Sequence, residues 1–207
     1  EIYRCDWSSD VCSSDLRASG NIQIDAFGFF QVAGALQLDK SSGSVKLGDL
    51  SGTAADESAT AVNVDRLLLG GSGLSAFAGI NGGTASATGL QLSGVNFALA
   101  MLTERDMDAG QTARKWSALE ATATSASFGG VDGLTLAATD IVVQINRAAA
   151  DSTLVDFAAQ NLVVQTGTVT QPRSMTLDLE ADLGELTRAS GNIQIDAFGF
   201  FQVAGAL

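Results

Sequence analysis

Apolar and polar residues alternate with a period of two along most of this chain. Between Ile22 and Leu38 every even-numbered position is apolar or Gly, and half of the odd-numbered positions are polar, with Phe27 and Phe29 in the middle. A period of two is typical of β-strands, whose successive side chains point to opposite faces. The pattern predicts an extended stretch of about 55 Å at ~3.3 Å per residue, bent at Gly28 and Gly34.

The alternation changes phase at Asn and Asp residues. In GLQLSGVNFALAM (89–101) and GLTLAATDIVVQI (133–145), the apolar positions switch parity around Asn96 and Asp140. Both residue types tolerate left-handed backbone. A shift by one residue predicts a β-bulge or corner, since the apolar face would otherwise turn to solvent. The same order of small residues, Asn and an apolar run occurs at Asn21 and Asn161.

Polar and Gly-rich stretches predict turns at 39–44, 103–112, 147–152 and 166–173. The segment 116–128 contains helix formers, but its alternation of Thr, Ser and Ala favours a strand. We therefore expect an all-β, elongated repeat architecture. Two layouts stay open, a long antiparallel meander and a β-solenoid-like stack.

The chain contains one long internal repeat. RASGNIQIDAFGFFQVAGAL occurs identically at 17–36 and 188–207, a spacing of 171 residues. Such self-similarity indicates a repeat architecture, in which each unit buries apolar surface against its neighbours. We expect 17–187 to be one 171-residue β-repeat, 188–207 to begin the next copy, and neighbouring copies to be partners in a longer array.

The first sixteen residues differ from the rest. DWSSDVCSSDL (6–16) resembles the translation of a short-read sequencing adapter, so we expect 1–16 to be a non-native tail. This tail contains both cysteines, Cys5 and Cys12. No disulfide is therefore predicted.

Composition excludes most catalytic devices. Without residues 1–16 the chain has no His or Cys, ten basic and nineteen acidic residues, and a net charge of −9. Nucleophile–His triads and the usual zinc sites are thus excluded. We predict no enzyme and no catalytic, cofactor-binding or metal-binding residue. Two groups of acids are expected to be solvated turns: Glu104, Asp106 and Asp108, and Glu180, Asp182 and Glu185.

Three further motifs are incomplete. The run from Asp106 to Gly110 lacks the Gly and Glu spacing of a calcium loop, so Ca2+ stays open only as weak binding to an acidic surface. GSGLSA (71–76) resembles a dinucleotide fingerprint, but no acid follows at the required distance. Arg114-Lys115-Trp116 is expected to be a strand end that packs on the core.

Nucleic acid and membrane-spanning helices are not expected. A net negative surface repels phosphates. No run of about 18 apolar residues is present to form a transmembrane helix.

FAGINGG (77–83), 89–101 and FGGVDGLTLAATDIVVQINRAAADSTLVDFAAQ (128–160) resemble the tandem repeats of giant bacterial extracellular or surface proteins of the adhesin-like class. The resemblance implies export to the cell exterior or cell surface and a structural or adhesive role, with cell-surface or matrix ligands. It implies no particular binding residues.

Two functions are compatible with these features. The first is a non-catalytic spacer or multivalent binding array. The alternative is a groove for an apolar, lipid-like ligand, lined by Phe27, Phe29, Phe30, Phe97 and Phe157. An open apolar face that continues across repeats would favour the groove, and a filled interior would favour the spacer.

Overall fold

The alternating segments form long strands in the computed structural model, which describes residues 15–48, 61–107 and 110–207. The fold is all-β, as predicted. One 3₁₀ turn spans Ala181–Leu183. The strands are β1 (Leu16–Ala26), β2 (Phe30–Gly48), β3 (Ala61–Ile80), β4 (Thr88–Glu104), β5 (Lys115–Gly129), β6 (Leu134–Arg147), β7 (Leu154–Val155), β8 (Leu162–Gln165), β9 (Ser174–Leu177), β10 (Leu186–Ala197) and β11 (Phe201–Ala206).

The main sheet is an elongated antiparallel meander. Its strand order is β1-β2-β3-β4-β5-β6-β10-β11, β7 pairs with the end of β2, and β8 and β9 form a separate hairpin. Every pairing between the described strands is antiparallel. Of the two predicted layouts, the meander is the one observed.

The predicted single stretch from Ile22 to Leu38 is wrong, because the chain reverses between β1 and β2. Phe27 and Gly28 have φ values of 55° and 71°, and the Gly28 N–H donates to Asp25 Oδ1 at 2.8 Å. The alternation survives this turn because even-numbered residues of β1 lie opposite even-numbered residues of β2. Both arms of the hairpin therefore place their even-numbered side chains on the same face.

The predicted bulges are confirmed at both phase changes. Asp140 has a φ of 53°, and the register of β6 and β10 slips opposite it. In β4, Gly94 has a φ of 61°, and Asn96 Oδ1 accepts a hydrogen bond from the Gly73 N–H at 3.0 Å. The bulges keep the apolar positions of each strand on one face along its whole length.

Not every predicted turn or bulge is present. Asn21 lies in an unbroken β1–β2 ladder, and Asn161 directly precedes β8. The predicted turn at 39–44 is wrong, because this segment belongs to β2. There the Arg66 side chain lies over Gly43, where no Cβ is in the way, and donates to the Ser44 carbonyl at 2.7 Å.

The remaining predictions about local structure are confirmed as far as the structure describes them. Chain segments 147–152 and 166–173 connect strands, and 116–128 lies within β5. The connector at 103–112 leaves the sheet after Glu104, and two of its residues, 108 and 109, lie outside the described part. Trp7 and Cys12 also lie outside it.

The core lies at one end of the sheet. Residues 148–185, which we call the layer, pack there against one face of β2–β6 and bury Phe157, Leu102, Leu154 and Leu177 almost completely. Trp116 joins this core and donates from Nε1 to the Thr153 carbonyl at 3.0 Å. We call this side of the sheet the layered face and the opposite side the open face. The layer end is the end that carries the layer, and the turn end is the other.

The layered face uses small residues where the layer comes closest. Ala98, Ala100 and Ala118 are almost fully buried there. A Cβ on Gly70 would collide with the carbonyl of Gln165 in β8. The backbone of β8 therefore approaches the sheet more closely than bulky side chains would allow.

Candidate functional site

The open face carries large apolar side chains in paired rows. Because paired residues of neighbouring strands share a face, the register aligns the following residues across β2–β6: Leu38, Leu69, Leu99, Leu119 and Ile145. These side chains are partly exposed. In the described part of the chain, no second layer covers this row.

A second apolar row crosses the sheet nearer the turn end. It runs from β2 to β11 through Phe30, Ala78, Leu90, Phe128, Leu136, Ile195 and Val203. Phe30 and Leu90 are each 46% exposed. The two rows show that apolar side chains face solvent along most of the strand length.

The apolar part of the open face is large. From the level of Leu38 to that of Phe30 it extends about 26 Å along the strands and, over the seven strands β1–β6 and β10, about 29 Å across them. This is an area of roughly 750 Å2, whereas the largest apolar patch of a typical monomer is about 300–600 Å2. No charged residue occupies the described strand positions of this area.

Strand β5 has small side chains at several open-face positions, namely Ala121, Ala123 and Ala126. Ala121 lies between Phe97 of β4 and Val143 of β6, which are both larger. This run of alanines extends along the strand between Leu119 and Phe128.

Cations border the apolar area at the layer end. Lys40, Lys46, Lys115 and Arg147, which we call the cationic border, occupy open-face positions beyond the last apolar row. None of the four forms a salt bridge with a residue that the structure describes. Asp65 is the acid among the described open-face strand positions of this end, and it pairs with Arg105 at 3.5 Å.

The cations of the layered face are engaged within the molecule. Arg17 bonds Asp39 at 2.8 Å, and Arg188 bonds the side chain of Gln144. Arg114 binds Glu104 with two nitrogens, and this hydrogen bonding is the main cause that lowers the pKa of Glu104 and raises the pKa of Arg114. The two faces therefore differ in how their positive charges are used.

The turn end contains no comparable charge. A shallow depression of about 420 Å3 lies on the layered side and is lined by polar and apolar residues in similar number, among them Gln23, Asp25, Gln31 and Phe77. The described turns at 27–29, 81–87, 130–133 and 198–200 contain no Lys or Arg. Positive charge on the open face is thus confined to one end.

The acids singled out in the sequence are placed in turns or beside bonding partners. Asp106 accepts from Asn63 at 2.9 Å, and Glu185 accepts from the Ala148 N–H at 3.0 Å. Glu180 and Asp182 lie at the 3₁₀ turn, and Asp108 lies outside the described residues. Within the described ranges, no group of three or more His, Cys, Asp or Glu side chains could hold a metal ion.

The predicted phenylalanine set is divided by the fold. Phe30 and Phe97 share the open face, whereas Phe157 is 1% exposed in the core. Phe27 and Phe29 lie in the turn, where Phe27 is 97% exposed. The aliphatic rows, and not a phenylalanine cluster, make up most of the open apolar surface.

Two other motifs have structural roles. GSGLSA lies inside β3, where Gly73 has a φ of 59°, and no helix follows it. Trp116 is buried, and the Arg114 guanidinium lies 5.3 Å from its ring centroid, so the predicted packing of this strand end is confirmed.

Sequence reasoning missed the cationic border. Lys115 and Arg147 are 32 residues apart in the chain and become neighbours only through the strand register, which also places Lys40 at the level of Arg147, about 19 Å away across the sheet. A signal was present, because each of them continues the parity of an apolar run by one or two further steps. The register needed to combine these signals is a tertiary property.

Comparison with protein-family models, with curated proteins and with solved structures finds no match for this chain. Over the described residues, no helix has the length and apolar character needed to cross a membrane.

Proposed function

We propose that the chain is a non-catalytic structural unit of a tandem array in which one antiparallel sheet continues from copy to copy. In this proposal the array is part of a large bacterial secreted or cell-surface protein and acts as a spacer or as a repeated binding face. The support for this function comes from the two edges of the sheet.

The edge hairpins have the same sequence and the same register. Ile24 lies opposite Val32 in the β1–β2 hairpin, and their counterparts Ile195 and Val203 lie opposite each other in β10–β11. The outer side of β10 pairs with β6, whereas the same side of β1 is the edge of the sheet. The edge of β1 is therefore matched to the β6 strand of a preceding copy.

The array would grow by a fixed step. Each copy contributes β1–β6, and six strands at 4.7–4.9 Å advance the sheet by about 29 Å. Weak binding sites repeated at this interval would gain avidity with copy number. The positions of Glu104, Asp106, Glu180, Asp182 and Glu185 in turns or beside bonding partners support a non-catalytic role.

This function is tested by the length of tandem chains. Chains with one, two and three copies of 17–187, each ended by 188–207, are compared by small-angle X-ray scattering. We expect the maximum dimension to rise by about 29 Å per copy. Irregular increments, as from beads on flexible linkers, would contradict the continuous sheet.

A matched variant tests the junction itself. Ser190 pairs with Val142 where β10 meets β6. Proline at the position of Ser190 in an internal junction removes a hydrogen bond of the β10–β6 ladder. The two-copy chain with this change should lose the regular increment, whereas an increment that persists would show that the junction is not built by this pairing.

A second function is favoured by the open face. Its uncovered apolar surface spans eight strands, and the identical edge hairpins would carry it on into neighbouring copies. Binding of an apolar, lipid-like ligand to this face is therefore our second candidate, and it is compatible with the structural array.

A further inference from the structure

We propose that the open face binds single anionic amphiphiles, with the acidic headgroup on the cationic border and the hydrocarbon chain along the strands. This assignment rests on the second function above and adds to it the charge, the orientation and the position of the ligand.

The first observation is the sign of the charge. The whole chain has a net charge of −12. The described open-face strand positions nevertheless include four cations at the layer end and a single acid, Asp65, which is paired with Arg105. A carboxylate or phosphate would find charged donors there that form no ion pair with the described residues, and charge-assisted bonds of this kind are strong.

The second observation is the position of the cations. They lie at one end of an apolar stretch about 26 Å long, and the described turns at the other end contain no Lys or Arg. An amphiphile has the same polarity, with one charged end and one apolar end. One leaflet of a bilayer, whose full hydrocarbon core is about 30 Å, corresponds to chains of about 15 Å, which fit within the stretch.

The third observation is the relief of the surface. The open-face alanines of β5 follow one another in the strand direction between Leu119, on the side of Lys115, and Phe128. Arg147 pairs with Ser117 at the start of this path. A single hydrocarbon chain that lies along β5 would contact Phe97 on one side and Val143 on the other, and its headgroup would reach both cations.

Area alone does not select this ligand. The apolar area of roughly 750 Å2 is also close to the 800 Å2 per partner of a standard protein interface. A second copy of this chain would place its own cationic border against the open face, whose described strand positions offer one paired acid in return. The charge distribution therefore favours an anionic small ligand over a second copy.

An anionic membrane is also a poorer match. A flat charged surface that docked on the open face would meet cations at one end only and a bare apolar area over the remainder. The confinement of Lys and Arg to the layer end fits a ligand that is aligned with the strands.

The proposal is tested with a fluorescent fatty acid. The full chain is titrated with cis-parinaric acid at pH 8 and, in parallel, with its methyl ester, which lacks the charge. We expect saturable binding of the acid and weaker binding of the ester. The double variant Lys115→Gln/Arg147→Gln should bind the acid about tenfold more weakly, with little change for the ester.

The control variant carries the same change in net charge elsewhere. Arg173→Gln/Arg188→Gln alters an exposed loop residue and a cation of the layered face. It should bind both probes as the unchanged chain does. An equal loss of acid binding in the control would overturn the headgroup position, since general charge would then explain the effect.

A further variant tests the hydrocarbon contact. This variant, Leu69→Thr/Leu99→Thr/Leu119→Thr, replaces the three middle leucines of the row from Leu38 to Ile145. Thr is a good strand former, so the sheet should be kept while the apolar contact is lost. Circular dichroism checks that the sheet is retained, and binding of both probes should fall. Unchanged binding would overturn the assignment of the chain to this face.

The possible failures are distinguishable. Equal binding of acid and ester, unaffected by Lys115→Gln/Arg147→Gln, would overturn the headgroup assignment and leave the apolar-ligand function standing. If neither probe binds, both are overturned. A dimer in sedimentation that the triple Thr variant dissociates would then assign the face to a second copy, and binding to anionic vesicles alone would assign it to a membrane surface.

Discussion

Leu102 and Leu99 lie three residues apart on β4 and face opposite sides of the same sheet. Leu102 is 1% exposed beneath the layer, whereas Leu99 is partly exposed on the open face. Where β8 approaches the sheet, β4 places the larger Phe97 and Leu99 on the uncovered side and Ala98 and Ala100 on the covered side, beside Gly70 of β3. Bulk therefore does not identify the buried face here, because the close approach of β8 requires small residues.

The difference between the layered face and the open face is tested most strongly by replacing Leu102 and Leu99 with Ala, one in each of two variants. Leu102→Ala should lower the free energy of unfolding by about 2–5 kcal/mol, because it leaves a cavity in the core. Leu99→Ala should cost about 1 kcal/mol or less, since a partly exposed side chain leaves no closed cavity. Urea unfolding followed by circular dichroism measures both. Equal losses would mean that the open face is covered in solution.

The bulges that keep each face apolar give a smaller expected effect. Asp140 has a φ of 53°, which a β-branched residue adopts only with strain. Asp140→Val should therefore cost about 1–3 kcal/mol in the free energy of unfolding. Asp140→Asn is the matched control, because Asn tolerates left-handed backbone, and it should differ little from the unchanged chain. If Asp140→Val left the free energy of unfolding unchanged, the bulge would not lie at residue 140.

The smallest effect concerns ionisation on the layered face. Burial raises the pKa of Glu120, and the charge of Asp178 adds to the rise. The folded chain thus binds this proton more tightly than the unfolded chain, so stability falls as pH rises from 4.5 through the raised pKa. Glu120→Gln should be the more stable protein at pH 7, with a difference that vanishes below pH 4.5 in urea unfolding.

Glu104→Gln should change the stability of the folded chain at pH 7 in the opposite direction to Glu120→Gln. Hydrogen bonds from Arg114 lower the pKa of Glu104, so the stability that it contributes is present above pH 4.5 and is lost as pH falls through the lowered pKa. This variant should be less stable than the unchanged chain at pH 7 and approach it in acid. If both variants were more stable, or both less stable, than the unchanged chain at pH 7, the placement of the two carboxyl groups would be contradicted.

Much of the local structure could be predicted from the sequence. The period of two identified the strands, and the change of parity at Asp140 located a bulge, because both depend on neighbouring residues only. The prediction of a turn at 39–44 was wrong because Gly43 leaves room for the side chain of Arg66, which lies on another strand. The turn at Phe27 was missed because the alternation continues through it.

The candidate site was less predictable. Phe157 and Phe97 look equivalent in the sequence, yet one lies in the core and the other on the open face. This difference depends on where the layer packs, and the layer is separated from β2 by more than a hundred residues. The grouping of Lys40 with Arg147 likewise follows from the register of five strands.

The duplicated hairpin also bears on how such an array could fold without error. In an array of identical copies, every β1–β2 hairpin could attach to every β6. In such an array the first hairpin that leaves the ribosome after Arg147 would begin at residue 188, and the next identical one would follow after a further 171 residues, the spacing of the two copies in this chain. Synthesis from the N-terminus, together with the lower entropy cost of closing the shorter loop, therefore selects the correct neighbour by timing and proximity.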